Sequence, residues 1–238
     1  MRRLLALIFI TLGLAPVPAQ AEWLRAESAN FIVYSEGSES RLRERVTLLE
    51  NFDSLLRLFT GVDAPPSPNR LHIYIVRGED DLQRIREVRS GTAGFYQATA
   101  HGIAAIVDGR VDARANEVLF HEYAHHFMMQ YAANAYPAWY VEGFAEYFST
   151  AEFRDQEINV GKFSPNRIYA IVDRDWLPMD RILFGDTRGM NDIAVGRFYA
   201  QSWLATHYFF SNAERQAMLR RYLASARQEE PEAALQSA

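Results

Sequence analysis

Two rhythms of apolar residues run through the first half of the chain. NFIVYSE (Asn30 to Glu36) and LHIYIV (Leu71 to Val76) are short, β-branched and aromatic, the composition of strands. Between them, SESRLRERVTLLENFDSLLRLFTG places Leu42, Val46, Leu49, Phe52, Leu56 and Phe59 on one helical face, and Gly61 stops it. APPSP (Ala64 to Pro68) is a turn or short linker, and EDDLQRIREV a short helix. GFYQ and GIAAIVDG (Gly102 to Gly109) form a strand pair. A sheet with helices packed on it is therefore expected before residue 112.

From Asp112 onward the period is mostly helical. Asp112 is a candidate N-cap for a helix running through LFHEYAHHFMM, and Pro137 suits the first position of a helix AWYVEGFAEYFST. A looser stretch from Glu152 to Asp192, punctuated by glycine and proline, includes DRDWLPMD, read as a turn around a buried Trp176. Helices GRFYAQSWLATHYFF and AERQAMLRRYLASARQ follow, and residues 229–238 are expected to form a flexible tail. The pattern predicts an α+β chain with a mixed N-terminal sheet. Its sheet-rich lobe covers about residues 22–111 and its mostly helical lobe about 112–228, in one domain.

The first 21 residues stand apart. Two arginines, an apolar run from Leu4 to Leu14, two prolines and a small-residue Ala-Gln-Ala have the layout of a secretory signal peptide, cleaved after Ala21. The run is short for a membrane span, although retention as an anchor is the alternative. The expected location is outside a bacterial cytoplasm, in the periplasm or beyond the cell.

Composition narrows the chemistry. The chain has no cysteine, so any metal site must be built from histidine and carboxylate. The net charge of −5, more negative once Arg2 and Arg3 are removed, argues against nucleic acid as the main partner. No other apolar run of membrane length follows the signal segment.

Against that background LFHEYAHHFMM stands out, because ionisable side chains in an apolar run are costly to bury without partners. His121 and His125 are four apart, so on a helix they stand one above the other, about 6 Å apart along the axis. Two imidazoles so placed can reach one zinc ion, and Glu122 beside them can take a proton from water instead of binding the metal. A catalytic zinc needs a third protein ligand. The elongated zinc-protease pattern would require histidine and glycine where Tyr131 and Met128 stand, so that class is excluded. Glu142 in WYVEGFAEYF offers a carboxylate instead. Glu146, one turn further on, can accept the outer ring N–H of a ligating histidine.

HEYAHHF followed by AWYVEGFAEYF resembles the gluzincin metallopeptidases, and within them the bacterial peptidase MA-like proteins. The resemblance covers about Ala93 to Phe210 and is clearest from Asn116 to Ser149. It implies a zincin-like fold with a zinc cleft between the sheet and the helices. It also implies His121, His125 and Glu142 as zinc ligands, Glu122 as general base, and Glu146 behind a ligand. Gluzincins place a tyrosine or histidine against the oxyanion. Tyr199 in FYAQSW and His207 are the two candidates, with Ser202 where the clan's aminopeptidases have a glycine. The strand HGIAAIVD lacks the glutamate with which those aminopeptidases hold a free amine, which points to an endopeptidase. That strand is expected at the sheet edge, beside the cleft, open to an extended peptide.

The functional expectation is an exported zinc metallopeptidase acting on peptide or protein substrates, its water activated by Glu122. The alternative is a catalytically silent zincin-fold protein that binds peptides or scaffolds the cell envelope, and amide or ester hydrolysis would use the same residues. His126 is expected at the core edge or behind a ligand.

Overall fold

The computed structural model describes residues 23–88, 92–99, 102–109, 112–131, 136–172 and 175–226. The expected signal segment, His101 and the tail from Glu229 lie outside them. Five strands form one mixed sheet: β1 (Leu24–Glu27), β2 (Phe31–Ser35), β3 (Leu71–Val76), β4 (Gly94–Thr99) and β5 (Gly102–Asp108), in the order β1-β2-β3-β5-β4. β2, β3 and β5 run parallel, while β1 and β4 pair antiparallel at the two outer positions. The strand HGIAAIVD, expected at the edge, is thus interior. β4 takes the edge because its short connection to β5 lets the two pair as a hairpin beyond the parallel core.

Side chains alternate across the strands. Phe31, Val33, Leu71, Ile73, Ala105 and Val107 share one buried face. Onto it pack helix α1 (Glu39–Thr60), through Leu42, Leu49, Phe52 and Leu56, and helix α3 (Asp112–Tyr131), through Leu119, Phe120, Tyr123 and Phe127. Gly61 closes α1 in the left-handed conformation, φ 73°, which an L side chain adopts only with strain. Phe59 sits at the rim, edge-on to Phe148 and against Phe210, and is 40% exposed. The short helix α2 (Glu79–Ile85) covers part of the opposite face through Leu82, with Val76, Phe95 and Ile106.

Helix α4 (Ala138–Ser149) follows α3, with Pro137 as its N-cap and not its first residue: ψ 141° is extended, so helical geometry begins at Ala138. The stretch from Glu152 to Asp192 holds a two-stranded ribbon, β6 (Glu152–Phe153) and β7 (Ile158–Asn159), and two short helices, α5 (Pro165–Val172) and α6 (Met179–Leu183). Trp176 is 44% exposed, not buried; its Nε1–H donates to the Ile171 carbonyl at the end of α5, which satisfies the indole at the surface. Helices α7 (Asp192–Phe210) and α8 (Ala213–Ser225) complete the fold, each capped by an asparagine side chain, Asn191 and Asn212. Trp139, Ile182, Phe198, Leu219 and Tyr222 form a second core among α4, α6, α7 and α8. Among the described residues no helix is long and apolar enough to cross a membrane.

Helices α4 and α7 pack closely at Gly143. A Cβ on Gly143 would lie 2.2 Å from Thr206 Oγ1 and 2.4 Å from the Ser202 carbonyl oxygen, and the latter, being backbone, has little freedom to move. Gly143→Ala is expected to lower stability by about 1–3 kcal/mol through overpacking. Thermal unfolding checks this: a variant as stable as wild type would mean that the helices can separate freely.

Candidate metal centre

Helix α3 presents His121, Glu122 and His125 at its cleft side. Its back is tied to α1 by a buried network: the Tyr123 hydroxyl donates to Asp53 at 2.6 Å, Arg57 donates to the same carboxylate, and Arg57 also donates to the Tyr131 hydroxyl. Asp53 is 3% exposed, so both partners offset the cost of burying its charge. With that face fixed, α4 lays Glu142 against the two histidines.

His121 Nε2 and His125 Nε2 are 3.0 Å apart, and Glu142 Oε2 lies 3.5 Å and 3.4 Å from them. A tetrahedral ion bound at about 2.0–2.1 Å separates its ligand atoms by about 3.3–3.4 Å, so the three donors already have the spacing of one face of such a site. Glu142 Oε2 is shut off from solvent without a well-formed hydrogen bond. An orphaned carboxylate oxygen facing two imidazole nitrogens is what a cation would satisfy. The residues fit a metal ion, and His121, His125 and Glu142 could hold it.

The charges are coupled. Burial alone would push the Glu142 carboxyl up, but the His121 and His125 imidazoles outweigh it and bring the pKa down to about 2. Burial would lower His121, yet Glu142, Glu146 and Glu122 hold it above the ordinary imidazole value of 6.5. On the far side of the ring, His121 Nδ1 lies 3.4 Å from Glu146 Oε1. Glu146 thus stands beside the outer ring nitrogen from which the sequence expected it to accept. An Nδ1–H held there leaves the Nε2 lone pair facing His125 and Glu142.

A cleft of about 330 Å³ opens beside the triad, lined by His121, Glu122, Glu146, Arg167 and Tyr199, with Gly94 at the start of β4. The Tyr199 ring lies 6.0 Å from that of His121. His207, about two turns along α7, is exposed and packs on Trp203 and Tyr147; it is not among the cleft's lining residues. Of the two oxyanion candidates, the structure brings only Tyr199 to the cleft. His126 is 2% exposed and shares a 3.1 Å hydrogen bond with the hydroxyl of Tyr96; burial pushes the imidazole down to about 4. Tyr96 is pushed up to about 12 by burial and the Glu122 charge. His72 stacks on Tyr34 away from the site. Two larger hollows, of about 730 and 740 Å³, contain none of the triad.

Two residues at the site escaped the sequence analysis. Tyr96 belongs to a run read only as a strand. Arg167, in the stretch read as a loop, donates two hydrogen bonds to Glu146, at 3.0 and 2.7 Å. Only the Pro165 that opens α5 hinted at a helix there.

No protein-family model matches the chain, and no curated protein is detectably similar to it in sequence.

One divalent ion per chain is expected to bind and to raise the unfolding temperature, and Glu142→Ala to remove most of that gain. Binding must displace the His121 proton, so affinity is greatest at alkaline pH and declines as pH falls, with the loss beginning above 6.5. Chelator-competition titrations across that range test the sign; affinity independent of pH would exclude His121 as a ligand.

Proposed function

We propose that this chain is an exported zinc-dependent peptidase of the gluzincin type, with a zincin-like cleft and with His121, His125 and Glu142 as ligands. The observation that carries the reading is the presence of Glu122 and Tyr199 in the cleft that His121 lines, beside a triad with metal-ligand spacing. Two imidazoles and one carboxylate are a donor set of catalytic zinc, which keeps a further position open. A purely structural zinc would need neither that position nor a neighbouring base. Bound zinc would supply a Lewis acid for the scissile carbonyl and lower the pKa of a water.

The remaining work falls to the chain. Glu122, outside the donor triad, takes the proton of the attacking water and passes it to the leaving nitrogen. Tyr199 is kept protonated by burial and by the negative charge of Glu142, which together raise its pKa. Its hydroxyl can therefore donate to the oxyanion of the tetrahedral intermediate. β4 is one of the two outer strands and its Gly94 lines the cleft, so an extended substrate can pair along it with its scissile bond near the triad. A substrate held by its main chain needs no free terminus, which favours internal cleavage.

Glu122→Gln is expected to keep its metal and lose all cleavage of a mixed peptide library read by mass spectrometry. Metal-loaded wild type that cuts nothing, or a Glu122→Gln variant that cuts as wild type does, would falsify this mechanism. Tyr199→Phe should lower kcat about 100- to 1,000-fold, the range for loss of one oxyanion donor, while His207→Ala leaves kcat unchanged. The reverse pattern in steady-state kinetics would transfer the role to His207.

A further inference from the structure

We propose that Arg167 is the positioning residue of this site, locking the ligand His121 and the oxyanion donor Tyr199 into one geometry. Four side chains close a ring of contacts. Arg167 donates from Nε to Glu146 Oε2 at 3.0 Å and from Nη2 to Oε1 at 2.7 Å. Glu146 Oε1 lies 3.4 Å from His121 Nδ1, the His121 ring lies 6.0 Å from that of Tyr199, and the Arg167 guanidinium lies 5.1 Å from the centre of the Tyr199 ring.

Each contact limits a freedom the others leave open. A carboxylate that accepts one imidazole N–H can still swivel; the guanidinium fork takes both of its oxygens and fixes the carboxylate plane. Glu146 is 5% exposed at its side chain and Arg167 29%, so the pair is mostly screened from water, and the buried carboxylate has its counter-charge. The other surface of the guanidinium faces the Tyr199 ring, a cation–π contact that holds the ring beside His121. α5, which supplies Arg167, packs on α7, which supplies Tyr199. A lysine would keep the charge but lose both the fork and the flat face.

The kinetic part of this inference rests on the peptidase reading, whereas the metal part does not. The experiment is zinc affinity, by competition with a chromophoric chelator, for wild type, Arg167→Gln, Arg167→Lys, Glu146→Gln and the Arg167→Gln/Glu146→Gln double variant. Circular dichroism checks that each is folded. Arg167→Gln is expected to weaken zinc binding about 10- to 100-fold, the range for losing an outer partner of a metal ligand. Arg167→Lys should recover only part of this. The double variant should bind no more weakly than Glu146→Gln alone, because Arg167 acts through Glu146. In the same proteins, Arg167→Gln should lower kcat more than it changes KM. Wild-type zinc affinity in Arg167→Gln, or additive losses in the double variant, would overturn the proposal. If Arg167→Gln does not fold, Arg167→Lys carries the test, and wild-type affinity there has the same meaning. Wild type that binds zinc and cuts no peptide would sink the peptidase reading and leave the affinity comparison to decide Arg167.

Discussion

Where α4 crosses α7, Gly143 lets two helix backbones approach more closely than any side chain would allow, and the geometry of the site follows from that approach. Glu142 immediately precedes the crossing and Glu146 follows one turn later, so both carboxylates are set by the same contact that brings Tyr199 down beside His121. Ser202 lies one turn from Tyr199 on α7, and its carbonyl is one of the atoms pressed against Gly143. A small change in the separation of the two helices would therefore move Glu142, Glu146 and the Tyr199 phenol together.

The cluster gathered there is expensive. Two imidazole nitrogens and one carboxylate oxygen sit within 3.5 Å of one another, with Glu122 and Glu146 close by, in a part of the protein where unpaired charge is costly. Opposite charge offsets part of the cost: the histidines draw the Glu142 pKa down, and Arg167 neutralises Glu146. The oxygen of Glu142 that faces both imidazoles is the part of this cluster left unmatched, and it is where a cation could complete the arrangement.

Rigidity comes from behind the site. The Asp53, Arg57, Tyr123 and Tyr131 network holds α3 to α1, and α1 is held to the sheet by Leu42, Leu49, Phe52 and Leu56. Tyr123 and Glu122 are neighbours in sequence but face different surroundings, one inside this network and the other in the cleft. This is the 100° step of the helix at work: it lets an apolar-looking segment serve the core and the chemistry at once.

The sequence by itself determined the strands β2, β3, β4 and β5, through short apolar runs rich in β-branched and aromatic residues, and the long helices, whose period is sustained over enough residues to identify a buried face. The i, i+4 spacing on a helix, a local geometric fact, also set His121 with His125 and Glu142 with Glu146, whereas the meeting of Glu142 with the two histidines was implied only by the resemblance. Only the tertiary structure decided the rest. β1, a short polar strand, exists because β2 offers it an edge. β4 and not β5 ends the sheet, since strand order depends on partners far apart in the chain. Which of Tyr199 and His207 lines the cleft depends on which turn of α7 faces it, a matter of helix packing at Gly143. Arg167 lies in a Gly- and Pro-punctuated stretch with little periodicity, and its partner Glu146 is on another element, so no local pattern could reveal the pair. What is local was legible; what depends on two elements meeting was not, because the free energy that selects those meetings is collective.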